Sequence, residues 1–415
     1  MNHPSKIKQY EIIEKLGDGG MAEVFLGRSA GPGGFSQQVA IKRLHPHIAR
    51  SADNIKMFIH EARLIAHLSH PNIVRIYDFG ETGDTYFLVM EYVEGLSLTD
   101  LLEISRLSKH PISLAIAVHI AIELLEALHY AHTAVDHQGQ PLHLVHRDLS
   151  PDNVLISRQG EVKLSDFGIA TSRIQEHRTQ TGMTKGKILY MSPEQCYGQE
   201  IDHRSDLFSM GTLLFEITTM SRLFQSKDLP SAALAICHHP IPSPRSIKPK
   251  YPEELEAILS RALERPLEKR YQSAREMADE LKRFLQKQEA HITRDDLKAL
   301  VEMLQAESVL SSPHNNPLFP GITAVHTPEA AYRPFLHSLR PPSLQPDRAT
   351  LPPVMFASSE DGISLSAFPP SPASLSSRPL QPRPSLLRPS LLLAIGLLFL
   401  AILSSSFLLW FLLLL

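Results

Sequence analysis

The octapeptide His146-Arg147-Asp148-Leu149-Ser150-Pro151-Asp152-Asn153 runs directly into the apolar Val154-Leu155-Ile156. It sets a carboxylate, Asp148, and an amide, Asn153, in a polar loop just ahead of a strand-like run. Asp166-Phe167-Gly168 follows downstream, and Val39-Ala40-Ile41-Lys42 lies far upstream. One such octapeptide can arise by chance. Several spaced motifs in a fixed order, with plausible gaps, do not.

Around these motifs the chain divides by composition. Residues from 10 to 285 mix strand-like and helix-like patterns with ordinary loops. Residues 311–388 hold 16 of the chain's 32 prolines, many serines and no lysine. Such a stretch neither sustains a backbone ladder nor buries a core, so a disordered linker is expected there. Residues 391–415 carry no charge. As a helix they would span about 37 Å, enough to cross a hydrocarbon core of about 30 Å. Arg378, Arg383 and Arg388 precede them, and no acidic residue follows Asp361. That bias sets the N-terminal side in the cytoplasm. The expectation is a single-pass helix in the inner membrane that anchors the chain by its tail. A chain that has lost a further outer domain is the alternative.

Several function classes are disfavoured. A net charge of −3 gives no electrostatic footprint for nucleic acid. Two cysteines, Cys196 and Cys237, cannot build a disulfide framework or a four-cysteine zinc site, and a reduced compartment fits them. Met1 to Tyr10 lacks the apolar stretch of a secretory signal. The 21 histidines show no metal-ligand spacing and are read mostly as surface residues. Between domain and linker, residues 286–310 form a short helical extension, capped by Thr293, with Asp295 and Asp296 in its first turn. Leu297, Leu300, Val301 and Leu304 fall on one face. The reading favoured is a helix packed on the preceding domain, over one that binds a partner.

The N-terminal part reads as strands around a glycine turn. Tyr10 to Leu16 leads into Gly17-Asp18-Gly19-Gly20-Met21-Ala22-Glu23-Val24, and a second strand begins at Val24. Glycines between two strands let the backbone bend closely over phosphates, although an ordinary hairpin has the same look. Gly31-Pro32-Gly33-Gly34 reads as a loop extension. Ile55 to Leu68 reads as a helix with Phe58, Ile59, Ala62, Ile65 and Ala66 on its apolar side. Glu61 sits within it, and a helical Glu is by itself usually just solvated. Tyr86 to Met90 is an apolar strand ending in Glu91-Tyr92-Val93-Glu94-Gly95, and Leu114 to His132 has the pattern of a long buried helix.

Taken together, residues 10–285 resemble the eukaryotic-like protein kinases. Within that family they look like bacterial transmembrane serine/threonine kinases of the myxobacterial type. The resemblance implies an α+β bilobal fold, with a small β-rich lobe, a larger helical lobe and MgATP in the cleft. It implies transfer of the γ-phosphoryl group to Ser or Thr of protein substrates. Leu16 through Val24 would cover the phosphates, and Ala22 replaces the family's third glycine, a change expected to tune the loop. Lys42 would reach the α- and β-phosphates, held by Glu61, while the backbone of Glu91 and Val93 would meet adenine and Met90 would limit the pocket behind. Asp148 would accept or orient the hydroxyl proton, and Asn153 and Asp166 would hold Mg²⁺. His146 and Phe167 are read as packing.

The segment from Ile169 to Glu194 would be the activation segment, with Thr171, Ser172, Thr179, Thr181 and Thr184 in it. Autophosphorylation is expected at Thr184, Thr181 or Thr179, within a homodimer, with Arg147 receiving the phosphate. Glu194 should pair with Arg270, and Asp206 should brace the catalytic loop. The family's loop has a Lys where this chain has Ser150, and a Thr where it has Lys187. The lost and gained cations are expected side by side, with Lys187 aimed at the transferring phosphate. The competing class is a scaffold that binds nucleotide without chemistry. It predicts loss of Lys42, Asp148, Asn153 or Asp166, and all four are present.

Overall fold

Strand periodicity builds the first lobe. The computed structural model describes residues 6–83, 85–167, 187–226 and 228–311. An antiparallel sheet runs in the order β1 (Lys6–Ile7), β2 (Tyr10–Asp18), β3 (Ala22–Ala30), β4 (Ser36–Leu44), β6 (Thr85–Glu91), β5 (Ile76–Thr82). Because side chains alternate along a strand, the two faces bury different sets. Phe25, Val39, Ile41, Phe87 and Val89 pack on one face with Ile7 and Tyr10. Leu44 and Leu88 pack on the other, against Phe58 and Ala62 of α1 (Ala52–Ile65). Lys42 lies in register with Val24 on β3 and Leu88 on β6, so its side chain shares the face that looks toward α1.

Helix α1 differs from the sequence expectation. It starts three residues earlier, where the Ser51 hydroxyl accepts a hydrogen bond from the Asn54 amide, and it stops at Ile65. Ala66, expected on the apolar side, is exposed, while Glu61 is buried with Phe58, Ala62 and Ile65. A capping hydroxyl outweighed apolar periodicity in setting the register.

The second lobe is helical around one apolar rod. Helix α3 (Leu114–His132) buries Ile120, Ala121, Leu124, Leu125 and Leu128 completely or nearly so. Among the described residues it is the helix long and apolar enough to cross a membrane, and its burial marks it as core. It packs on α5 (Arg204–Thr219) and α8 (Ala274–Lys287). Helices α2 (Leu98–Leu107), α4 (Pro193–Cys196), α6 (Leu229–His238) and α7 (Glu253–Ala262) complete the lobe. Ser97, Ser113, Ser192, Asp228 and Ser273 each cap a helix by accepting from a first-turn amide. Each cap contributes about 1 kcal/mol.

At the junction, β7 (Gly95–Ser97), β8 (Val154–Ser157) and β9 (Val162–Leu164) form a small antiparallel sheet. Leu164 also bridges to Ile73, and their neighbours Val74 and Asn72 exchange backbone hydrogen bonds with Leu164 at 3.0 and 2.8 Å. The catalytic-loop motif therefore emerges where the two lobes meet.

Helix α9 (Arg294–Ser311) lies against α2 and β8. Leu297, Leu300, Val301 and Leu304 are all buried in the main core. Asp296 caps it in reverse, accepting at 2.8 Å from both the amide and the hydroxyl of Thr293. Gly160 makes the approach possible. Its φ is +77°, and a Cβ there would sit 2.0 Å from the Arg294 carbonyl oxygen. The activation-segment residues through Gly186, the Pro/Ser-rich segment past Ser311 and the apolar residues 391–415 lie outside the described residues.

Candidate active site

Asp206, near the start of α5, organises the catalytic loop. Its carboxylate accepts from the amides of His146 and Arg147, both at 2.8 Å, and from His132 Nε2 at 2.8 Å. Burial alone would raise this carboxyl, but the three donors hold it below the usual range. Arg147 takes φ +66°, a left-handed conformation that costs a non-glycine residue energy and persists only where neighbours enforce it. Asp206 on its amide and Gln195 Nε2 on its carbonyl, at 2.8 Å, supply that enforcement. His146 is fully buried, donates from Nε2 toward the Ser165 carbonyl at 3.0 Å and packs 4.7 Å from the Phe167 ring. Burial pushes its pKa down, and it serves as packing, as expected.

Asp148 and Asn153 meet as their spacing suggests. The Asn153 side-chain amide donates to the Asp148 carbonyl at 2.7 Å and to its carboxylate at 3.0 Å. With the NH₂ so committed, the oxygen of that amide is the group left to face a cation. Asp166 follows β9, and Ser165 ties it to Asn153 through a backbone bond of 2.9 Å. Its φ of +52° is again left-handed. Asp166 Oδ1 accepts from Lys42 Nζ at 2.6 Å across 124 residues of sequence. Burial works to lower the Lys42 pKa, but Asp166 and Glu61 outweigh it and keep the ammonium charged. The Asp166 carboxyl is depressed in turn: burial opposes this, and Lys42, then Lys187, overcome it. A carboxylate and an amide oxygen are hard donors, too few to cage an ion alone. They suit Mg²⁺, which keeps waters and shares substrate phosphates.

Lys42 was expected to lean on Glu61. Its hydrogen bond goes instead to Asp166, while buried Glu61 acts on it through charge.

The glycine turn closes through the Gly19 amide, which donates to the Ala22 carbonyl at 2.9 Å. Gly17 pairs with Val24, and nothing lies within 4 Å of where its Cβ would be. Asp18 and Glu23, named in the sequence as phosphate-loop residues, spend their side chains on a charge network. Lys15 reaches Asp18 at 2.6 Å and Glu23 at 2.8 Å, and Arg43 reaches Glu23 at 2.8 Å. Although burial opposes it, these cations bring Glu23 down to about 2. At the end of β6, the Glu91 carboxylate takes Lys163 at 2.7 Å, and the Glu91 amide donates to the Arg75 carbonyl at 2.8 Å.

An apolar cluster at the end of β6 gathers motif residues with Val74, which the motifs did not name. Ala40, Val74 and Met90 form it, with Val24, Tyr92, Val93 and Leu155 packed on it. Two signals in the sequence point there. Ala40 lies two residues before Lys42 and Leu155 two after Asn153, so each shares a strand face with, or closely follows, a motif residue.

Farther from the cleft, Glu194 and Arg270 pair as expected. Arg270 donates to both carboxylate oxygens, at 2.8 and 3.2 Å, and Ser205 adds a third bond at 2.5 Å. Lys187 opens a 3-10 turn, Lys187–Tyr190, and its ammonium donates to Asp148 Oδ2 at 2.5 Å. Ser150 is buried, and its hydroxyl has no hydrogen-bond partner among the described residues. Thr179, Thr181 and Thr184 lie outside the described residues.

Comparisons with known proteins agree with this geometry. The chain is 41% identical over 276 residues to the tyrosine-protein kinase MasK of Myxococcus xanthus, covering 66% of this chain and 43% of that protein. It is 35% identical over 274 residues to the serine/threonine-protein kinase PrkC of Bacillus subtilis, covering 66% and 40%. With the serine/threonine-protein kinase PknB of Mycobacterium tuberculosis it shares 34% over 328 residues, covering 77% and 50%. The chain thus spans half or less of the length of these relatives. A crystal structure of the M. tuberculosis PknI kinase domain superposes with a TM-score of 0.51 at 26% identity, over 66% of this chain and 95% of that one. The protein kinase domain family matches residues 10–297. The chain belongs to the protein kinase family, in its eukaryotic-like bacterial branch.

Proposed function

We propose that the chain is a protein serine/threonine kinase that transfers the γ-phosphoryl group of ATP to hydroxyls of protein substrates. One observation carries the reading: Lys42, Asp166, Asn153 and Asp148 form a continuous chain of contacts, Lys42 to Asp166 at 2.6 Å and Asn153 to Asp148 at 3.0 Å, joined through Ser165. A scaffold that only binds nucleotide has no need of the Asp148 end of that chain.

In this reading Lys42 holds the α- and β-phosphates, with Glu61 adding negative charge behind it. Leu16 through Val24 cover the phosphates, the Glu91–Val93 backbone meets adenine, and the Ala40, Met90 and Leu155 cluster walls the base. Asn153 and Asp166 hold Mg²⁺, which when bound neutralises phosphate charge. Asp148 orients the acceptor hydroxyl and takes its proton.

PrkC and PknB carry serine/threonine in their names, and MasK carries tyrosine. The acceptor is therefore tested directly. Full-length protein incubated with Mg²⁺ and labelled ATP should acquire phosphoserine or phosphothreonine, with autophosphorylation within Thr179–Thr184 between two copies. Arg147, beside Asp148, supports that regulation by offering a cation to the phosphate. Label on tyrosine alone would overturn the acceptor assignment.

Residues 391–415 are proposed to anchor the kinase on the cytoplasmic face of the inner membrane, which suits a role in signal transduction. Their uncharged composition and the preceding arginines support this. Deleting residues 389–415 should move the protein to the soluble fraction, and a variant that stays with membranes would contradict the anchor.

A further inference from the structure

Among the described residues, a lysine meets each of the two carboxylates Asp166 and Asp148. On the nucleotide side, Lys42 binds Asp166 at 2.6 Å; on the acceptor side, Lys187 binds Asp148 at 2.5 Å. The catalytic loop brings no lysine of its own. Two residues past Asp148 stands Ser150, with 1% of its surface exposed and its hydroxyl unpartnered among the described residues.

Lys187 is held from behind. Ile188, Leu189 and Tyr190, which follow it in the turn, are buried in the main core. Tyr190 donates to Glu216 of α5, and Glu216 is itself buried and paired with Arg106 at 2.7 Å. The backbone under Lys187 is thus anchored to the helical lobe. Its side chain keeps about a third of its surface, 31%, exposed. An ammonium has three protons. One is used on Asp148 Oδ2, and the other two have no partner among the described residues.

We infer that Lys187 is the acceptor-side cation of phosphoryl transfer, bridging Asp148 and the transferring phosphoryl group from the activation segment, in place of a lysine in the catalytic loop. The inference rests on the proposed kinase function and deepens it. In the reaction, the acceptor oxygen bonds to the γ-phosphorus as the bond to the β–γ bridging oxygen breaks. ADP departs with that electron pair, and the hydroxyl proton passes to Asp148. Negative charge then spreads over the phosphoryl oxygens between nucleotide and acceptor. Lys42 and the Mg²⁺ ligands face the nucleotide side. Lys187 faces the other, with its charge already placed before substrate arrives, so little reorganisation is needed when charge develops.

The test uses the full-length protein, dephosphorylated casein as acceptor and saturating Mg²⁺–ATP. Lys187→Thr should lower kcat about 100-fold, and Lys187→Arg should keep most of the activity. Affinity for a fluorescent ATP analogue should stay within about threefold, because the lost interaction belongs to the transition state. The melting temperature should be unchanged. Adding Ser150→Lys to Lys187→Thr should recover about tenfold of the lost kcat, since either position can present an ammonium to the same oxygens. Near-normal kcat in Lys187→Thr overturns the inference alone, as does a loss confined to the KM for casein or one that Ser150→Lys leaves untouched. A wild-type protein that transfers no phosphate overturns the kinase reading as well.

Discussion

Two ion pairs, built from the same chemistry, serve opposite ends in this molecule. Glu194–Arg270 in the helical lobe is saturated. Arg270 and Glu194 are 0% and 4% exposed, their contact is bidentate, and the remaining guanidinium protons go to the carbonyls of Glu264, Arg204 and Arg265. Lys42–Asp166 in the cleft is open. Its side chains are 19% and 33% exposed, and a single 2.6 Å contact joins them. A buried pair with every donor spent is a strut, because removing one partner strands a charge without water. A pair with coordination to spare can take a phosphate or a metal ion at little cost in stability. Satisfaction, more than charge, separates structure from site.

Removing one member of each pair should separate the two roles. Lys42→Ala should lower turnover by about three orders of magnitude, through loss of electrostatic stabilisation, with a nearly unchanged denaturant midpoint. Arg270→Ala should do the reverse. Urea unfolding should show a loss of about 3–5 kcal/mol, while the protein that remains folded keeps most of its turnover. If Arg270→Ala leaves stability intact, or Lys42→Ala unfolds the domain, the division fails.

A smaller effect sharpens the same point through pH. Burial works to raise the Glu194 carboxyl, but Arg270 and Ser205 outweigh it and hold the folded value below the ordinary 4.5. A carboxyl depressed in the folded state contributes stability that is complete above its unfolded pKa and is lost as pH falls through the folded one. The stability gap between wild type and Arg270→Ala should therefore be widest near neutrality and shrink below about pH 4. Urea midpoints measured from pH 7 down to pH 3 give the slope. A gap that stays constant would remove the ion pair from the account.

Much of this was legible in the chain before folding. The catalytic loop could be read because its chemistry is local: Asp148 and Asn153 touch across five residues. Strand-like runs locate β2, β3, β4 and β6 to within a few residues while β5 goes unread, and apolar spacing places Leu297, Leu300, Val301 and Leu304 on a buried face. Helix α1 starts before the apolar pattern that periodicity detects, because Ser51 caps it. Sequence sets Glu61 against Lys42, and its charge does act there, but a sequence carries no information on which of two distant carboxylates takes the hydrogen bond. In the structure the hydrogen bond spans 124 residues to Asp166. Charge compensation sets Lys187 beside Ser150 in the sequence reading, but its bond to Asp148 is not encoded there. Its anchor, Tyr190 on Glu216, is a tertiary contact that no local pattern encodes.

In the proposed mechanism Asp148 acts on the acceptor hydroxyl while Lys42, Asn153 and Asp166 hold the nucleotide. The most direct measurement compares full-length wild type and Asp148→Asn for Mg²⁺–ATP affinity and for phosphate transfer to casein. Asp148→Asn should keep nucleotide affinity within about threefold of wild type and lose about 1000-fold in kcat, the range for losing a proton acceptor. Undiminished transfer by Asp148→Asn would contradict it.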